Sequence, residues 1–173
     1  MSKTPLRGAA ALAAILSGCG AQAQTAIPPA PQDFVMAASQ SDHYESLAAE
    51  VAMAQSRDPR VRAFAEAMIA DHARLEQALR AAALASRLPP PEPGLSSDGA
   101  SLLGALQSLR GQDFDKTYAR QQELAHDRAV AVMQSFASAG SDPNLEKAAQ
   151  SALPTIRDHL GKAQKLSAEV GGS

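Results

Sequence analysis

The sequence predicts an all-α protein, a four-helix bundle built as two antiparallel hairpins joined by a long crossover. Three observations predict it. Apolar residues recur at three- and four-residue spacing through four long segments, which is the period of a helix with one buried face. The composition is rich in alanine, free of tryptophan and almost without β-branched runs, so intrinsic propensity favours helix. The dipeptide Asp-Pro occurs at Asp58-Pro59 and Asp142-Pro143. There an aspartate can cap the first turn, and the proline sits where a helix has no internal N–H bond to lose.

The segments follow in order. Lys3 and Arg7 precede an apolar run from Gly8 to Leu16 that is too short to span a bilayer, so residues 1–18 read as a secretory signal peptide. Leu16-Ser17-Gly18-Cys19 matches a bacterial lipobox, in which Cys19 becomes the lipidated first residue. The competing reading is cleavage after Ala21-Gln22-Ala23. Cys19 is the only cysteine, so no disulfide forms within the chain. Residues 19–32 are small, uncharged and proline-rich and read as a tether. Residues 33–173 have the length of one domain with a sizeable core. Loss of the leader removes Lys3 and Arg7 and no acid, which takes the formal charge from −2 to −4. A mildly acidic domain poor in aromatics offers no face for nucleic acid.

Within the domain the first helix spans about Gln32–Ser56 and the second opens at Asp58 and reaches about Arg87. The third spans about Asp113–Ala139 and the fourth about Pro143–Val170. Asp33-Phe34 and Asp113-Phe114 open the two hairpins, and Asp71-His72 and Asp158-His159 fall in their returning arms, a weak internal duplication. Between the hairpins, Leu88–Gly111 begins Pro89-Pro90-Pro91-Glu92-Pro93-Gly94 and is too long for a tight turn. A crossover along the bundle makes the second and third long helices parallel, which is the ferritin-like arrangement. Leu102, Leu103, Leu106 and Leu109 place a short amphipathic helix in that crossover. Pro154 lies inside the last helix, where it frees the Gln150 carbonyl and is expected to bend the helix.

The chain has four histidines, one per long helix. The seam Val61, Ala65, Met68, His72, Leu75, Leu79, Ala82 puts His72 in the core. Leu145, Ala149, Ala152, Ile156, His159, Ala163, Leu166, Val170 does the same for His159, and Ala119, Gln122, His126, Ala129, Met133 places His126 inward or on the boundary. The first helix buries Phe34, Ala38, Ser41, Glu45, Ala48 and Ala52. His43 is two residues from Glu45, a rotation of about 200°, and so turns away. Residues equally far from a hairpin turn sit side by side. Glu45 precedes Asp58 by 13 positions and His72 follows it by 14, while His126 precedes Asp142 by 16 and His159 follows it by 17. Glu45, His72, His126 and His159 therefore share one level.

On Asp33-Phe34, Glu45, Met68-Ile69-Ala70-Asp71-His72, Phe114-Asp115 with Tyr118, His126, and Leu153-Pro154 followed by His159, the chain resembles the bacterial family called domain of unknown function 4142. The resemblance covers nearly all of the domain. It implies an exported protein, often a lipoprotein, with a ferritin-like helical fold, and no substrate.

A ferritin-like di-iron site needs a Glu-x-x-His pair on two helices. Glu123-x-x-His126 is present, but Ile69 and Ile156 stand where the pairs for His72 and His159 need acids. Three imidazoles and a carboxylate instead suit a single divalent ion such as zinc, copper or iron. Glu45, His72, His126 and His159 are the candidate ligands. Glu123 is an additional candidate, although its phase and that of Glu76 suit flanking, solvated acids. Asp71 and Asp158 are about 100° round from the histidines they precede and are expected to meet a neighbouring helix or water. The alternative is a hydrogen-bonded layer that fixes helix register and binds nothing, and the residue pattern leans to it.

A phosphotransfer histidine would have to be exposed, a thiol nucleophile is lost with Cys19, and no phosphate loop is present. The expectation is an envelope protein of the periplasm, held to the outer membrane by lipid. It acts as a non-enzymatic binding or stress-protective module, with a protein partner or a second copy, or alternatively as a metal-binding bundle with a redox or storage role.

Overall fold

In a computed structural model, residues 30–172 are described; the signal peptide, Cys19 and nearly all of the tether lie outside them. Five helices and no strand are found among the described residues: α1 (Pro31–Gln55), α2 (Pro59–Ala85), α3 (Ser97–Ser108), α4 (Gly111–Ala139) and α5 (Pro143–Gly171). The four long helices match the predicted segments to within about two residues at each end, and α3 is the short crossover helix. No helix among the described residues is long and apolar enough to cross a membrane.

The Asp-Pro devices work as the sequence predicts. Asp58 accepts from the Arg60 N–H, and Asp142 accepts from the N–H groups of Asn144 and Leu145, each with proline in the first turn of the helix that follows. Two further bonds fix the topology. Ser56 Oγ donates to Asp115 Oδ1 (2.5 Å), which brings the start of α4 to the α1–α2 turn, and Ser86 Oγ donates to Asp142 Oδ1 (2.6 Å), which brings the end of α2 to the α4–α5 turn. Helices α2 and α4 therefore run in the same direction. Around the bundle α1 packs on α2 and α4, and α5 packs on α4 and α2. Helix α3 lies over α1 and α4, with Leu106 fully buried and Leu102, Leu103 and Leu109 half-buried against the core.

The core divides into two apolar clusters. One holds Met68, Phe64, Phe114, Tyr118, Ala163 and Leu166 with the α3 leucine; the other holds Phe34, Leu79, Phe136, Leu145 and Ala149. Phe34 and Phe136 stack with ring centroids 4.0 Å apart, and the close approach of Gly140 to Phe136 leaves no room there for a Cβ, which would lie 2.6 Å from the ring. Between the clusters lie the buried side chains Glu45, His72, His126 and His159. Helix α5 continues through Pro154, which is on the exposed side.

Five of the predicted inner positions depart from the expectation: Ser41, Leu75, Ala82, Met133 and Ala152 are half-buried rather than core. All but Ala82 border a cavity of about 220 Å³ in the second apolar half, so the helices there do not close to full contact.

Candidate metal centre

The layer is assembled from three helices at the level where their seams carry a polar residue. His72 on α2, His126 on α4 and His159 on α5 each offer one ligand nitrogen, and these three atoms lie within 4.8 Å of one another. Ring centroids are 5.8 Å apart for His72 and His126, 5.4 Å for His72 and His159, and 5.3 Å for His126 and His159. All three side chains are essentially inaccessible to solvent. Glu45 on α1 lies beside the cluster and outside the converging set, its Oε2 3.4 Å from His72 Nε2. His43 is half-buried outside the layer, as its phase predicts. Glu123 is half-buried and is not among the residues that converge.

The tautomers follow from the outer hydrogen bonds. His72 Nδ1–H donates to Asp42 Oδ1 (2.7 Å), His126 Nδ1–H to the Gln122 carbonyl (2.8 Å), and His159 Nε2–H to Asp71 Oδ2 (2.9 Å). Every partner is an acceptor, so each bonded nitrogen carries the hydrogen and the other nitrogen of the ring keeps a lone pair. Those other atoms, His72 Nε2, His126 Nε2 and His159 Nδ1, are buried and have no hydrogen-bond partner. A buried acceptor without a donor costs about 1–3 kcal/mol. Three such acceptors lie in one layer, open to a cation or to a buried water as partner.

Electrostatics favour the neutral, ligating form of two of the three histidines, His126 and His159. Burial pushes His126 down to about 3, only partly offset by its backbone bond, and His72 and His159 push the same way. Burial also lowers His159, outweighing Asp71. Asp71 itself stays an anion, held below the usual carboxylate range first by the bond from His159. His72 differs: burial lowers it, but the Asp42 bond and the Glu45 charge outweigh that and the net direction is up. Burial lifts Glu45 to about 7, against the attraction of His72.

Sequence reasoning put Asp71 against a neighbouring helix, and the structure gives the partner, His159 of α5. An ion pair with Arg74 further anchors Asp71. Asp42 was missed. Its signal was the spacing of three residues to Glu45, which puts both carboxyls on one face of α1. Two more buried polar side chains follow His126 down α4, Gln122 and Tyr118, and the Gln122 amide and the Tyr118 hydroxyl lack hydrogen-bond partners.

The fold and the layer together define a helical bundle whose core is interrupted by a three-histidine cluster with acceptors on its outer side. The chain belongs to the family described as "Domain of unknown function (DUF4142)", whose profile matches residues 18–166. Two solved structures share the fold. "CopM in the Cu(II)-bound form" superposes with a TM-score of 0.66 at 18% identity, covering 82% of this chain and 98% of the other. "Crystal structure of DUF305 fragment from Deinococcus radiodurans" superposes with a TM-score of 0.68 at 21% identity, covering 84% and 100%. No curated protein matches the chain in sequence.

Proposed function

We propose that the protein binds a single divalent ion, copper(II) most tightly, through His72, His126 and His159, with Glu45 as the carboxylate ligand. One observation carries this: three imidazoles converge in the core with their lone-pair nitrogens unpartnered while the opposite nitrogens are held by Asp42, the Gln122 carbonyl and Asp71. That is how protein-bound metals are commonly supported, because the outer acceptor fixes the tautomer and raises the basicity of the ligating nitrogen. An ion about 2.1 Å from each nitrogen would hold neighbouring nitrogens about 3.0 Å apart in the tetragonal geometry of copper(II) and about 3.4 Å apart in a tetrahedral one, so small side-chain movements complete the site. A nitrogen-rich set with one carboxylate follows the usual affinity order, with copper(II) above zinc. The similar fold of a protein solved in a Cu(II)-bound form supports the same ion.

The di-iron reading fails on the ligands: Ile69 is exposed and Ile156 is buried apolar surface, and neither can bridge two irons. The charged leader and the lipobox at Cys19 support a location in the cell envelope, with the bundle tethered to the outer membrane through lipid. There the protein would sequester or store copper as a non-enzymatic, stress-protective module, alone or with a protein partner or a second copy. Native purification of the full chain, followed by metal analysis and melting with and without chelator, tests the reading. One equivalent of copper or zinc per chain is expected, and saturation at 100 times Kd stabilises by about 2.7 kcal/mol. A chain that holds no metal and whose melt ignores added copper, zinc and iron refutes it.

A further inference from the structure

The metal reading leaves unexplained a cavity of about 220 Å³ beside the histidine layer. Glu45, His72 and Asp42 are among its lining residues, and most of the remaining wall is aliphatic or aromatic, with Phe34, Leu79 and Ile156. Exposed Ala37, Ala78 and Arg128 also line it, so it reaches the surface. Alanines on all four long helices border it, Ala38, Ala78, Ala129 and Ala149 among them. Small residues at facing seam positions keep the helices from filling the space. Protein cores rarely leave such a gap, because the lining atoms forfeit their packing partners.

His72 and Glu45 line the cavity and also belong to the polar layer, with the His72 Nε2 atom itself sealed from solvent behind them. A molecule in the cavity therefore lies against the two side chains that close the centre on this side. We infer that the cavity is the ligand site of the metal centre, taking small molecules that combine an apolar aromatic or alkyl body with one nitrogen donor as head. This rests on the metal reading. The apolar walls bury the body, and the head takes the coordination position of the Glu45 carboxyl, which swings aside. An apolar cavity of about 150 Å³ is enough for benzene, so this one has room for a benzene ring joined to an imidazole.

The test is titration of the copper-loaded full chain with imidazole and with 4-phenylimidazole, read by the copper(II) absorption band and by calorimetry. Both ligands are expected to shift the band, and 4-phenylimidazole is expected to bind at least about 30-fold more tightly, from burial of its phenyl ring. Ala149→Leu and Ala129→Leu, on different helices, fill the cavity without touching a ligand side chain. Either is expected to cut the preference to about 3-fold while copper content and imidazole affinity hold. Equal affinity of the two ligands for the wild type overturns the cavity inference and leaves the metal reading intact. A preference that survives in a folded Leu variant also overturns it. A chain that takes up no copper at the outset overturns the metal reading, and with it a ligand held by its head.

Discussion

Replacing His126 by leucine separates a ligand from a structural layer, because the two roles predict opposite signs. His126 is fully buried, its Nε2 has no partner, and its only hydrogen bond runs from Nδ1 to the Gln122 carbonyl. Leucine is close in volume and removes that bond, a loss of about 1 kcal/mol, while relieving the orphaned nitrogen, a gain of about 1–3 kcal/mol. The Gln122 carbonyl keeps its helical partner. The metal-free variant is therefore expected to be as stable as wild type or more so, by up to about 2 kcal/mol, and to bind copper(II) at least 100-fold more weakly. Urea unfolding followed by helix circular dichroism, run with chelator and again with saturating copper, reads both quantities on one protein. With chelator the variant midpoint should match or exceed wild type; with copper the order should reverse. A metal-free variant weaker than wild type by 2 kcal/mol or more, or one with wild-type copper affinity, refutes the reasoning.

Other outcomes follow from the same geometry. Asp71→Asn and Asp42→Asn keep every ligand but weaken the outer acceptors of His159 and His72, and each is expected to lower copper affinity by about 10- to 100-fold in a competition titration. A variant within 2-fold of wild type would show that the outer bonds do not tune the centre. The pH dependence of the metal-free protein has opposing parts: Glu45 is raised to about 7 and favours the folded state as pH falls, whereas His126 is depressed to about 3. A depressed histidine contributes fully above its unfolded value near 6.5, and that contribution is lost as pH falls toward 3. Comparison with His126→Leu isolates it: the variant's advantage should widen by up to about 1.4 kcal/mol per pH unit between pH 6 and 4, and a constant gap would contradict a neutral buried imidazole. Finally, Asp142→Ala removes the cap of α5 and the acceptor for Ser86. It should cost about 1–2 kcal/mol in thermal unfolding with no change in copper affinity; an affinity loss would mean that the turn and the centre are coupled.

The sequence by itself determined the four long helices, the two capped turns and the level of the polar layer. Local rules suffice for these. Asp-Pro marks a helix start whatever surrounds it, the 3.6-residue period assigns Glu45, His72 and His159 to inner faces, and distance from a turn converts directly to height along an antiparallel pair. The fold likeness to known bundles and the match to the family agree with that reading.

Only the tertiary structure shows which acceptors stand behind the three imidazoles. Whether three inward imidazoles meet as hydrogen-bonded neighbours or as three bare lone pairs depends on which acceptors stand behind them. Asp42 lies on α1 and Asp71 on α2, yet each serves a histidine on another helix, and no spacing along one chain segment encodes such a pairing. The cavity was equally out of reach. Leu75, Met133 and Ala152 obey the core period as faithfully as Leu79 or Ala149, and the gap beside them arises because packing depends on the summed side-chain volumes of four helices at one level, a quantity that no single seam contains.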